Sequence, residues 1–154
     1  MHKLSVFYRK LALVTAVTAL ALPITHAAHA MDLISEDEAR LPSAPRIASR
    51  GGITRGPSIK VVSPDPNGQV KAPFAMNVQF RAHGGSKIDP STVKVTYLKK
   101  PAVDLTPRLK PAISEAGIAM DTVNVPAGTH DIKIDVTDAD GRTKSEVVSF
   151  TAVK

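Results

Sequence analysis

The sequence has no cysteine and no tryptophan, and only two tyrosines and four phenylalanines in 154 residues. Without cysteine there is no disulfide, no thiolate metal centre and no lipid-modified cysteine to anchor the chain. With aromatics at 4%, any core has to be built mostly from Val, Ile, Leu and Met. Long apolar runs are scarce too. The longest, residues 11–24, spans roughly 14 residues and is interrupted by Pro23, whereas a membrane-crossing helix needs ~20. No Gly-x-Ser-x-Gly elbow marks a nucleophilic serine, and no glycine-rich phosphate loop follows a strand pattern.

The N-terminus has a different character from the rest. Lys3, Arg9 and Lys10 precede the apolar run with no acidic residue among them, and Ala28 and Ala30 close it in a small-x-small pattern. Basic head, short apolar stretch and small-residue exit predict a signal peptide over residues 1–30, cleaved after Ala30. The mature chain is then expected in a bacterial periplasm, or secreted, with no transmembrane segment. Cleavage also changes the charge. The net +6 of the whole chain loses Lys3, Arg9 and Lys10, leaving 17 basic against 14 acidic residues. That balance is too mild for a nucleic-acid binder, so none is expected.

Residues 31–58 read as a short helix and a flexible linker. Ser35 and Glu38 have capping-box spacing, which predicts a helix over Met31–Arg40 that ends at Pro42. From Ser43 to Ser58, prolines, glycines and Arg46, Arg50 and Arg55 replace apolar residues, as in a mobile linker. From Ile59 the period becomes two. Phe74, Met76, Val78 and Phe80 alternate with polar or small residues, as do Val93, Val95 and Tyr97, then Ile132, Ile134 and Val136, then Val148, Phe150 and Ala152. Weaker strand patterns fill Val103–Leu109 and Ile113–Val125. The prolines fall in turns, edges and linkers, where a missing N–H costs least. About seven short strands separated by turn residues predict an all-β domain, an antiparallel sandwich over residues 59–154.

Two stretches carry a family likeness. Val62-Ser63-Pro64-Asp65-Pro66-Asn67-Gly68 with the strand to Phe80 resembles the opening of bacterial immunoglobulin-like domains of the exported, disulfide-free kind. Pro126-Ala127-Gly128-Thr129-His130 with the strand to Val136, then Asp138 and Gly141, resembles their last hairpin. The resemblance implies an Ig-like β-sandwich. It implies little about function, because such modules serve adhesion, ligand binding and assembly alike. The opening is also similar to small periplasmic copper-binding sandwiches, but the ligands are missing. Only His83 and His130, with Met76 and Met120, remain in the mature domain, and both histidines are expected at the surface.

Few residues qualify as a site. Asp138 and Asp140, with Asp135 upstream, have the oxygen-rich look of a calcium loop, although Asp and Gly also favour such a turn for conformational reasons. Asp104, Glu115 and Asp121 are too scattered to pair as glycosidase carboxylates. No cofactor and no catalytic residue is expected. The most suggestive stretch is residues 97–111, where Tyr97, Lys99, Lys100, Arg108 and Lys110 interleave apolar and basic side chains between prolines. That pattern fits a guarded edge strand, or a contact surface for an envelope protein or an anionic glycan or lipid. The expected function is a non-catalytic binding or assembly module, with a carrier or sensor of a small ligand, envelope glycan or calcium as the alternative.

Overall fold

The alternation in the sequence translates directly into strand faces. The structure, a computed structural model, describes residues 30–45 and 56–154. The expected signal peptide and the middle of the expected linker lie outside them. In β4 (Phe74–Arg81) every second residue from Phe74 to Phe80 is buried and every residue between is exposed. The same period governs β5 (Lys94–Tyr97) and β9 (Gly128–Thr137), and it sets the inner face of β10 (Thr143–Val153). The remaining strands are β1 (Met31–Asp32), β2 (Ser58–Ser63), β3 (Gln69–Lys71), β6 (Val103–Asp104), β7 (Ile113–Ser114) and β8 (Gly117–Asn124).

These strands form two sheets packed face to face. The first has the order β1-β8-β4-β2, with β7 also on β8; the second has the order β3-β10-β9-β5-β6. The chain enters along β2, antiparallel to β4, then crosses at the proline-rich turn to β3, which runs parallel to β10 in the opposite sheet. The β9–β10 hairpin, in register from Thr137↔Thr143 to Gly128↔Ala152, is the longest ladder. This is the β-sandwich that the strand pattern predicts, with the Ig-like architecture that the resemblance implies. Its buried interior is largely aliphatic, with Phe74 and Phe150 edge to face across it at 5.6 Å. An internal void of about 10 Å³ between Leu33, Phe74 and Phe150 holds no more than one water. At Gly117 (φ +149) the two central strands of the first sheet approach so closely that a Cβ would lie 1.9 Å from the Val78 carbonyl oxygen.

Two segments differ from the pattern's expectation. Met31–Arg40 is not one helix. Met31 and Asp32 pair in parallel with Val123 and Asn124, Leu33 and Ile34 turn into the core, and α1 covers only Glu36–Arg40. The capping box is present but starts the helix at Ser35, because its geometry needs an extended residue before the first turn. Val103–Leu109 forms a strand for two residues only and then a one-turn helix, α2 (Thr106–Leu109). Asp104 accepts the Thr106 amide at 2.9 Å, and Pro107 brings a φ already suited to a helical turn.

Candidate functional site

The segment singled out from the sequence, residues 97–111, turns inward rather than outward. Tyr97 is fully buried, as is His130, which was expected at the surface. The tyrosine hydroxyl lies 2.9 Å from His130 Nδ1, and His130 Nε2 lies 2.9 Å from the Pro126 carbonyl oxygen. A carbonyl only accepts, so the ring proton sits on Nε2 and the hydroxyl donates to Nδ1. Burial holds the imidazole pKa below its ordinary value. The Pro126 hydrogen bond opposes that effect, the Lys99 charge adds to it and Asp131 opposes it. Burial, then the charges of Asp131 and Glu38, push the Tyr97 phenol up to about 12.

Lys99 and Arg108 are committed to the N-terminal arm, residues 31–45. The Lys99 ammonium is buried over the Tyr97 ring, 5.3 Å from its centroid, and donates to the Ala39 carbonyl at 3.0 Å. Arg108 grips Glu38 with both terminal nitrogens, at 2.8 and 2.6 Å, and also donates to the Leu33 carbonyl at 2.7 Å. The Arg108 hydrogen bonds hold the Glu38 carboxyl down at about 2, against the raising effect of burial. Of the five candidates only Lys100 and Lys110 are exposed. The stretch therefore offers no continuous contact surface; it is the clasp that holds the arm.

The acidic turn is likewise committed internally. Asp138 is buried and accepts from the Asp140 amide at 3.1 Å, the Arg142 amide at 2.9 Å and the Arg142 side chain at 2.8 Å. Burial raises its pKa, but the hydrogen bonds and charge of Arg142 outweigh that and lower it overall. Asp140 pairs with the same guanidinium at 2.5 Å, while Asp135 accepts from Ser145 and pairs with Lys133 at 2.9 Å. The guanidinium thus supplies the positive charge that a calcium ion would bring. Among the described residues no three His, Asp or Glu side chains group as a metal site. Asp104 and Asp121 lie in opposite sheets, on β6 and β8, and Glu115 in the turn before β8, so they form no facing pair.

A different concavity lies on the outer face of the second sheet. Cross-strand register sets Lys94, Asp135 and Ser145 in one row and Thr96, Lys133 and Val147 in the next. Leu98 continues the face, and Ala44 and Pro45 of the arm form a wall, enclosing a groove of about 570 Å³. The arm is fixed there by the Ala44 amide, which donates to the Leu98 carbonyl at 3.0 Å, and by the bridge between Ser43 and Lys99. Sequence reasoning missed this groove because its wall and floor lie some fifty residues apart in the chain. The period-two pattern does carry a partial signal, since it turns Lys94, Thr96, Lys133 and Val147 outward.

No protein-family model matches this sequence, and no curated protein matches it. Solved structures similar to the chain include an engineered protein, at 20% identity and a TM-score of 0.44 over 64% of this chain. The match spans 20% of that protein's length. CopC from Methylosinus trichosporium OB3b is 16% identical over 62% of this chain and 93% of its own, with a TM-score of 0.42. The fibronectin(III)-like modules of Clostridium thermocellum CbhA are 12% identical over 62% of this chain and 94% of theirs, with a TM-score of 0.38. The architecture described above rests on this chain's own strand pairing. Among the described residues, no helix is long and apolar enough to cross a membrane.

Proposed function

We propose that the mature chain is a non-catalytic Ig-like module of the bacterial periplasm that binds another envelope protein. The groove over β5, β9 and β10 is the contact surface. One observation carries this reading. The groove sets apolar Leu98, just past β5, and Val147, on β10, around the Lys133 and Asp135 side chains of the central strand, in about 570 Å³ of open concavity. Protein contacts mix apolar area with polar groups in this way. An interior carrier of small molecules fits less well, because the core void of about 10 Å³ has no room for a ligand. The export signal read at residues 1–30 supplies the compartment, and among the described residues no arrangement of nucleophile, base or paired carboxylates suggests a reaction.

Photo-cross-linking residues placed at Thr96 and Val147, and at Asn77 on the outer face of the opposite sheet, test the proposal in living cells. A single reproducible adduct from the two groove positions, absent from Asn77, is the expected result. The same adducts from Asn77, or no adduct from the groove, would refute it.

A further inference from the structure

The outer face of the first sheet carries a second concavity, of about 620 Å³, that no reading of the sequence anticipated. Ser58 pairs with Arg81 and Lys60 with Gln79 across β2 and β4. Period two turns these side chains outward while Val61, Val78 and Phe80 turn in. His83 follows Arg81 at the same period, and all five polar residues line the cleft. No carboxylate lines it. Among the described residues, neither Lys60, Arg81 nor His83 takes part in an ion pair. Half-buried Lys133 and Lys144 have acidic neighbours within 4 Å. Exposed Lys71, Lys87, Lys94, Lys100 and Lys110, like this cluster, take part in no ion pair among the described residues. What sets the cluster apart is three basic side chains around one opening. Among the described residues, this cluster therefore presents positive charge with no carboxylate lining the same cleft.

The cluster is also braced from behind. Arg142 donates to the His83 carbonyl at 3.2 Å, and the same guanidinium is held by Asp138 and Asp140. The Ala139 amide donates to the Lys87 carbonyl at 2.8 Å, so the loop that presents His83 is tied to the 138–142 turn at two points. A loop backbone held in place before binding loses less entropy when a ligand arrives. The acidic turn that resembles a calcium loop thus fixes the far side of a cationic cleft.

We propose that Lys60, Arg81 and His83, with Ser58 and Gln79, form a binding site for a phosphate group. A guanidinium fork, an ammonium, an imidazole N–H and an amide N–H make a set of donors around one opening, beside the Ser58 hydroxyl, which itself donates to the Arg81 carbonyl at 3.5 Å. A phosphate ester spreads its charge over several oxygens and can use more of these donors than a two-oxygen carboxylate. The phosphate comes either free in solution or on the headgroup of an anionic phospholipid, and the chemistry of recognition is the same. This site lies on the sheet opposite the protein-contact groove, and its test is independent of that reading.

The mature chain is titrated with inorganic phosphate by calorimetry, and with vesicles of phosphatidylglycerol or of phosphatidylcholine by co-sedimentation. Each is repeated with Lys60→Gln/Arg81→Gln and with Lys100→Gln/Lys110→Gln, which removes the same charge elsewhere. Each cation near an anionic surface contributes about fivefold, so the first variant, which loses two, is expected to bind about twenty-fivefold more weakly. The second should stay within about twofold, and all three proteins should melt alike, since every substituted side chain is exposed. Binding of inorganic phosphate upholds the site and assigns the free ion as a source. Binding of phosphatidylglycerol vesicles alone upholds it and assigns the headgroup. Binding of neither, or an equal loss in both variants, would overturn it.

Discussion

His130 lies on the inward face of β9 in step with Ile132, Ile134 and Val136, and the fold accepts it there only as a neutral ring with both nitrogens bonded. That condition makes stability depend on pH with a definite sign. Above about 6.5 the imidazole is neutral in both folded and unfolded chains, and the pair contributes fully. Below that value the unfolded chain takes up a proton that the folded chain resists until its own, lowered pKa is reached. Stability is therefore lost as pH falls from about 6.5 toward the folded value. Urea midpoints measured between about pH 8 and about pH 5 should show this slope, and His130→Phe should flatten it. Glu38 adds a separate acid phase. Its contribution is present above about 4.5 and lost as pH falls toward about 2, so Glu38→Gln leaves the His130 slope unchanged. At Gly117 an added methyl meets the Val78 carbonyl oxygen, and Gly117→Ala is expected to cost about 2 kcal/mol or more in denaturant unfolding.

Besides the Lys99–Ala39 and Ala44–Leu98 hydrogen bonds, three kinds of contact join the N-terminal arm to the sandwich. They are the parallel pairing of β1 with β8, the burial of Leu33 and Ile34, and the Glu38–Arg108 ion pair. Leu33→Ala removes a fully buried side chain and is expected to cost about 2–5 kcal/mol by urea titration. Breaking the two-pronged ion pair with Arg108→Ala should cost about 2 kcal/mol, since hydrogen bonds to charged groups are worth more than neutral ones. A cost near zero in both variants would mean that the arm is only loosely attached in solution. The Asp138–Gly141 turn behaves as an element braced by Arg142, so millimolar calcium should leave the melting temperature unchanged within about 1 °C. A rise of several degrees would show that calcium displaces the guanidinium.

At the scale of the molecule, arm and sandwich share one apolar interior, in which Leu33 and Ile34 belong to the same cluster as Phe74 and Ile132. Thermal unfolding of the mature chain should therefore be one cooperative transition, seen alike by tyrosine absorbance and by far-ultraviolet circular dichroism. An early separate loss of the arm would contradict this. The two sheets present outer faces of different character. One is a walled groove that holds the Lys133–Asp135 pair, and the other ends in a cationic cleft with no carboxylate among its described lining residues.

The sandwich itself was legible in the sequence because burial in a strand follows a period of two, a local property that Phe74–Phe80, Ile132–Val136 and Val148–Ala152 display in full. The capping box at Ser35 and Glu38 was legible for the same reason. The burial of Tyr97 and His130 was half legible, since each sits in phase with its apolar neighbours, but basic residues around Tyr97 suggested a surface. What only the tertiary structure decided is where short, weakly patterned segments attach. Arg108 meets Glu38 across 70 positions in the chain, and Lys99 meets Ala39 across 60. Such pairings depend on which ends of the two sheets lie together, and no local pattern records that. The groove and the cationic cleft arise likewise from strands brought together by folding, so their residues look unremarkable until the sheets place them side by side.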